Sequence, residues 1–180
     1  MTAASLADKL LAIHHAFAAG AIPHAFGGAL ALAYLTEEPR ATKDIDVNVF
    51  RPATDVDRVF AALPPDVDRD AEAAARVRSD AQVRLWWGHT PVDLFFDVDE
   101  IHRDAAAHVR EVPFAGATIP VLDGNELAVF KMMYSRPKDW LDIAEMIRAA
   151  TVDPDLVATA FARIMGPEHE AIERLRAMIT

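Results

Sequence analysis

Cysteine is absent from the 180-residue chain, so disulfides, thiolate metal sites and cysteine nucleophiles are all excluded. Lysine is scarce: only Lys9, Lys43, Lys131 and Lys138 occur. Lysine and arginine together number 18 against 28 aspartates and glutamates, a formal net charge of −10. That surplus argues against a broad nucleic-acid-binding surface, which needs clustered cations. No apolar run approaches the ~20 residues that span a bilayer. No basic stretch precedes the first apolar segment, and His14 and His15 interrupt it, so no signal peptide is expected and the cytoplasm is the expected compartment. The seven histidines are scattered without H-x-x-x-H spacing, which argues against zinc chemistry. With 52% hydrophobic and 26% charged residues, the composition is globular, and the length suits one domain with a real core.

What is present begins at Phe26–Val49 (FGGALALAYLTEEPRATKDIDVNV). Ala21–Phe26 is short and extended in character, with Pro23 pointing to a sheet edge or a strand start. Gly27 and Gly28 follow, ahead of an Ala/Leu run over Ala29–Leu35 with helical propensity. Glycines there allow unusual φ values and a close backbone approach, and free amides at a helix start face an anion. An ordinary tight turn would look the same. Asp44–Val49 alternates polar and apolar, the pattern of a half-buried strand. Asp44, Asp46 and Asn48 then share one face, with Ile45, Val47 and Val49 beneath. Two carboxylates at i and i+2 need a cation to offset their repulsion, and hard oxygen donors suit Mg²⁺ or Mn²⁺. A solvated strand face is the alternative.

A second acidic strand is expected at Pro91–Asp97, preceded by Gln82–Trp87 across the three-residue connection Gly88-His89-Thr90. Val92, Leu94 and Phe96 place Asp93, Phe95 and Asp97 on the other face. A bare carboxylate in so apolar a strand is costly unless paired or metal-bound. Asp93 is therefore a candidate third metal ligand, or the base for an attacking hydroxyl. Asp97, at the strand end, suits a loop or a cap.

Elsewhere, Leu6, Leu10, Ile13 and Phe17 mark an amphipathic helix over Ser5–Ala19. Thr54 or Asp55 caps a helix ended by Pro64-Pro65. Asp66–Asp80 has the least structured look, with one helical segment at most. Asp99–His108 reads as a helix, and Arg110–Val121 as strand broken at Gly116. Asp123-x-x-Glu126 is a capping box for the helix carrying Lys131. Pro137, Pro154 and Pro167 each suit a first helical turn. The pattern is α+β: a mixed sheet core over residues 1–122, flanked by helices, then a C-terminal helical part over 123–180. On residues alone, Lys131 could be a snorkelling surface lysine and Lys138 with Asp142 a plain i,i+4 ion pair.

Four segments in order resemble the polymerase-beta-like nucleotidyltransferase superfamily and, more closely, its AbiEii-like toxin branch. They are Gly27-Gly28-Ala29-Leu30, Thr42-Lys43-Asp44-Ile45-Asp46-Val47, Lys131 on its helix, and Arg136-Pro137-Lys138-Asp139-Trp140-Leu141-Asp142. The resemblance covers roughly residues 20–150. It implies a nucleotidyltransferase-like fold and in-line transfer of an NMP from an NTP to a hydroxyl-bearing acceptor (RNA, protein or small molecule), releasing pyrophosphate. Asp44, Asp46 and Asp93 would hold Mg²⁺ or Mn²⁺, and Lys131 would contact the triphosphate. Gly27 and Gly28 would cradle phosphate, with Arg136, Lys138 and Asp139 as further nucleotide-site residues and Asp139 or Asp142 as orienters. It also implies a cognate antitoxin as partner; a catalytically silent binding protein of the same fold is the alternative. Two departures stand out: Gly28 replaces the serine usual in the wider superfamily, and toxin-branch members commonly carry a longer helical C-terminus.

Overall fold

The computed structural model describes residues 4–38 and 41–179. Helix α1 (Leu6–Ala19) opens on a reciprocal cap: the Asp8 amide donates to the Ser5 hydroxyl, and the Ser5 amide to the Asp8 carboxylate. Its Leu10, Ile13 and Phe17 are buried, the face its periodicity predicts. Strand β1 (His24–Phe26) leads directly into α2 (Gly28–Thr36), and β2 (Ile45–Pro52) follows. A 3-10 turn at Ala53–Asp55 precedes α3 (Val56–Ala62). The acidic stretch after it yields α4 (Ala71–Asp80), started by the Asp70 carboxylate accepting from the Ala73 amide at 2.7 Å. Then come β3 (Gln82–Trp87), β4 (Thr90–Asp97), α5 (Glu100–Ala107), β5 (Arg110–Phe114) and β6 (Ala117–Val121). The chain ends in α6 (Gly124–Tyr134), α7 (Pro137–Arg148), α8 (Pro154–Met165) and α9 (Glu170–Ala177). No helix among the described residues is long and apolar enough to cross a membrane.

The strands form one mixed sheet in the order β3-β4-β2-β1-β6-β5. β2 runs parallel to β4 and β1 parallel to β6; the remaining pairs are antiparallel. This is the mixed-sheet α+β architecture expected. Ile45, Val47 and Val49 on β2 and Val92, Leu94 and Phe96 on β4 are buried together in the core. Their alternation leaves Asp46, Asn48, Asp93 and Phe95 on the opposite face, which α6 overlies across a cleft. The register pairs Asp46 with Asp93.

Several local expectations need correcting. β1 lies inside the sheet, so of the two positions Pro23 pointed to, the strand start is the one found: it sits just before β1, its carbonyl accepting from the Phe50 amide at 2.9 Å. Thr90 pairs with Trp87, so the β3–β4 turn is the two residues Gly88-His89. The Asp123–Glu126 capping box does not form. Asp123 instead faces Arg110 at 3.8 Å, and Glu126 turns inward to His108 Nδ1 at 2.9 Å. Pro167 lies in the turn before α9, which His169 caps through its Nδ1.

Candidate active site

The β1–α2 corner fixes one end of the cleft. Gly28 adopts φ +54°, and a Cβ built there would fall 1.8 Å from Asp46 Oδ2. Only glycine lets the carboxylate lie against the corner. The Gly27 amide donates to the Asp46 carbonyl at 3.0 Å, tying the corner to β2. The amides left for an anion are thus those of Gly28 and the residues just after it, since α2 has no side-chain cap. Its C-terminal end is closed by Glu37 in the left-handed conformation.

Asp44 sits immediately before β2, Asp46 within it, and Asp93 across the parallel pairing on β4; all three line one cavity of about 760 Å³. Burial, then the neighbouring Asp93 and Asp44 charges, pushes the Asp46 carboxyl up to about 6. Lys131 and Lys138 pull the other way. A carboxyl so strained by like charge is one that a cation would relieve. Asp93 has found a different cation. Arg84, from β3, donates through Nε and Nη2 to both of its oxygens at 2.8 and 2.7 Å, and stands 3.6 Å from Asp44.

The opposite wall comes from α6 and the α6–α7 junction. Ser135, at φ +52°, ends α6 and turns the chain, and Arg136 then caps α7. Lys131 is buried and donates to Asp142 Oδ2 at 2.6 Å, with Asp139 Oδ1 at 3.6 Å. Asp139 is fully buried; it accepts from Arg136 Nε at 2.7 Å and Nη2 at 3.1 Å, and from the Arg136 amide. Burial raises its carboxyl, but the Arg136 hydrogen bonds and the Lys131 charge outweigh that and leave it below the usual range. Asp139 therefore holds Arg136 and Lys131 in place and offers no surface to a ligand. Arg136 stays half exposed and stacks 5.1 Å over Tyr134, while Lys138 is exposed at the same rim. Lys43, although inside the Thr42–Val47 segment, points to solvent and does not line the cavity. Replacing Lys131 with Met removes the cation from its buried ion pair with Asp142. A loss of about 3–5 kcal/mol is expected from breaking such a buried pair, measurable by urea unfolding.

The cleft thus sets carboxylates and an open helix end on one wall against Lys131, Arg136 and Lys138 on the other. A family model described as nucleotidyl transferase AbiEii toxin, type IV TA system, matches residues 9–177. The chain belongs to the AbiEii family. No match is found among curated proteins. Among solved structures, the antibiotic-resistance factor ANT(2'')-Ia in solution is similar, with a TM-score of 0.55 at 18% identity. That match covers 96% of this chain and 90% of the other. The same factor crystallised with adenylyl-2''-tobramycin gives 0.53 at 18%, covering 95% and 94%. An antigenic nucleotidyltransferase-like protein from Paracoccidioides brasiliensis gives 0.51 at 15%, covering 94% and 92%. At such identities the likeness is one of fold, and the fold is that of nucleotidyltransferases.

Reading this AbiEii chain from its residues alone misses Arg84. The signal was available: Arg84 and Asp93 are cross-strand partners once the Gly88-His89 turn sets the register. Phe95, Tyr134 and His102, which complete the cleft, carry no motif and emerge only from packing. Among the described residues no three His, Asp or Glu side chains are already gathered as a metal cage. The Arg84 guanidinium is bonded to both Asp93 oxygens.

Proposed function

We propose that this AbiEii-family chain is a divalent-metal-dependent nucleotidyltransferase, moving an NMP from an NTP to a hydroxyl-bearing acceptor with release of pyrophosphate. The observation that carries this is the register match of Asp46 with Asp93 in a cleft whose far wall bears Lys131, Arg136 and Lys138. Three carboxylates suit Mg²⁺ or Mn²⁺ in donor type and charge, and the repulsion around Asp46 supports that fit. Asp44 and Asp46 would hold the ion, joined by Asp93 when Arg84 swings away. Such an ion neutralises phosphoryl oxygens and lowers the barrier to in-line displacement.

The chain's own groups do the positioning. Gly28 and the amides behind it face the phosphates, with Gly27 fixing the corner. Lys131, aimed by Asp142 and Asp139, supplies positive charge to the triphosphate, and Arg136 and Lys138 extend it along the rim. Asp93, freed from Arg84, is placed to ligate or to take the acceptor proton. Incubation with each labelled NTP, Mg²⁺ or Mn²⁺ and a cell extract tests this directly. Label on RNA, protein or a small molecule supports transfer and reveals the acceptor. No label with any NTP, given wild-type but not Asp46→Asn binding of nucleotide, supports a silent binding protein instead, the reading that the Arg84 clamp favours. Growth arrest on expression, absent with Asp46→Asn and relieved by a cognate antitoxin, would support the toxin role.

Arg84 makes a separate prediction. Arg84→Gln removes a guanidinium from the aspartate cluster, so Mn²⁺ should bind at least about tenfold tighter, given the several kcal/mol of repulsion that a nearby cation imposes. Titration followed by electron paramagnetic resonance measures this; weaker binding would make Arg84 a supporting residue of the site and not a competitor for it.

A further inference from the structure

One end of the cleft is left unused by phosphate and metal chemistry. One step along the strands from Asp46 and Asp93, the next pair in register on the same face is Asn48 and Phe95. Tyr134 meets Phe95 edge-on at 6.3 Å, and beyond them α5 and α6 contribute His102 and Phe130, with rings 4.9 Å apart. All line the same cavity. This wall is aromatic where the other end is charged.

His102 is the exception within it. The ring is only 6% exposed, and its Nδ1 lies 3.2 Å from Asp99 Oδ1. Asp99 is not free to swing, because it caps α5 and accepts from the Ile101 amide at 3.1 Å. A carboxylate facing Nδ1 places the ring proton there, so Nε2 carries a lone pair. Among the described residues nothing pairs with Nε2. A hydrogen-bond acceptor at the apolar end of a cleft, aimed by its own carboxylate, is how a site selects ligands bearing a donor.

We infer that His102 determines base specificity: its Nε2 accepts from the exocyclic amino group of the nucleotide's base, seated among Phe95, Phe130 and Tyr134. Asp99 is the positioning residue that fixes the tautomer. This rests on the nucleotidyltransferase reading and adds to it a class of nucleotide, one whose base carries an amino group where an oxo group would repel the Nε2 lone pair. ATP with ITP, and CTP with UTP, form pairs that exchange the amino group for an oxo group, with a proton gained on the adjoining ring nitrogen.

Binding is measured by calorimetry in Mg²⁺ for the four nucleotides and for inorganic tripolyphosphate, using the wild type, His102→Phe and Asp99→Asn. The wild type is expected to prefer ATP over ITP, or CTP over UTP, by at least tenfold. His102→Phe keeps the ring packing, the melting temperature and tripolyphosphate affinity but brings the ratio to about one. Asp99→Asn keeps the oxygen that caps α5 and faces Nδ1 but loses the charge that holds the ring proton there, lowering the ratio with little change in total affinity. Equal affinity for both members of each pair in the wild type, or an undiminished ratio in His102→Phe, overturns the inference. Failure of the wild type to bind tripolyphosphate and all four nucleotides instead overturns the nucleotidyltransferase reading beneath it.

Discussion

Asp46→Asn is expected to lower nucleotidyl transfer by about a thousandfold or more while making the protein harder to unfold at neutral pH. On the proposed reading, the loss follows from removing a ligand of a metal that would supply several kcal/mol of transition-state stabilisation. The gain has a different origin. In the folded protein the Asp46 carboxyl is pushed from 3.8 up to about 6, chiefly by burial and then by the Asp93 and Asp44 charges. A carboxyl whose folded value is raised binds its proton more tightly folded than unfolded. It costs nothing below about pH 4, destabilises increasingly between about 4 and 6, and exerts its full penalty above 6. That penalty is about 2–3 kcal/mol, or roughly 5–10 °C in melting temperature for a chain this size. Melting wild type and Asp46→Asn in parallel across pH 4–8 should show curves that coincide at the acid end and separate through pH 6. A constant difference at every pH would mean that Asp46 is not charged at a cost, and the electrostatic account of the cleft would fail with it.

Gly28→Ala should be nearly as damaging, through geometry. The methyl would stand 1.8 Å from Asp46 Oδ2 and 2.6 Å from its Cγ, at a φ of +54° that alanine adopts only with strain. The carboxylate must therefore leave the corner. An activity loss of at least about a hundredfold is expected, comparable to misplacing a catalytic group by an ångström, together with about 1–2 kcal/mol of destabilisation. A double variant separates the two causes: in Gly28→Ala combined with Asp46→Ala, the carboxylate clash disappears, leaving the backbone strain and a 3.1 Å contact between the two Cβ atoms. Strictly additive stability losses would show that the two residues do not press on each other. With Asp46 this close, a hydroxymethyl group has no room.

The β2 and β4 assignments were legible because period-two alternation is a strong signal and one face had to be buried. Ile45, Val47, Val49, Val92, Leu94 and Phe96 all lie in the core as their spacing requires. The glycine corner was legible for a similar reason, since only a special backbone explains Gly27-Gly28 between a strand and a helix. Side-chain destinations were harder. Glu126 has the spacing of a capping partner, yet its hydrogen-bonding contact with His108 and the Arg110 charge beside Asp123 redirect both residues. Asp139 sits in a segment full of polar groups, but Arg136 and Lys131 draw it entirely inside. Arg84 illustrates the limit most clearly. Its role depends on a register set by a turn one residue shorter than its composition suggested.

The parallel pairing of β2 with β4 has a consequence during biosynthesis. Parallel neighbours cannot be joined by a hairpin, so the chain leaves the sheet after β2, crosses over through α3 and α4, and re-enters it at β3 before Asp93 on β4 can settle beside Asp46. Lys131 arrives later still. A ribosome-bound chain that has emerged only as far as β3 holds half of its acidic pair and none of the buried lysine. On the proposed reading, transfer would become possible only after the segment carrying Lys131 has been made, so a partner meeting the nascent chain earlier would meet it inert.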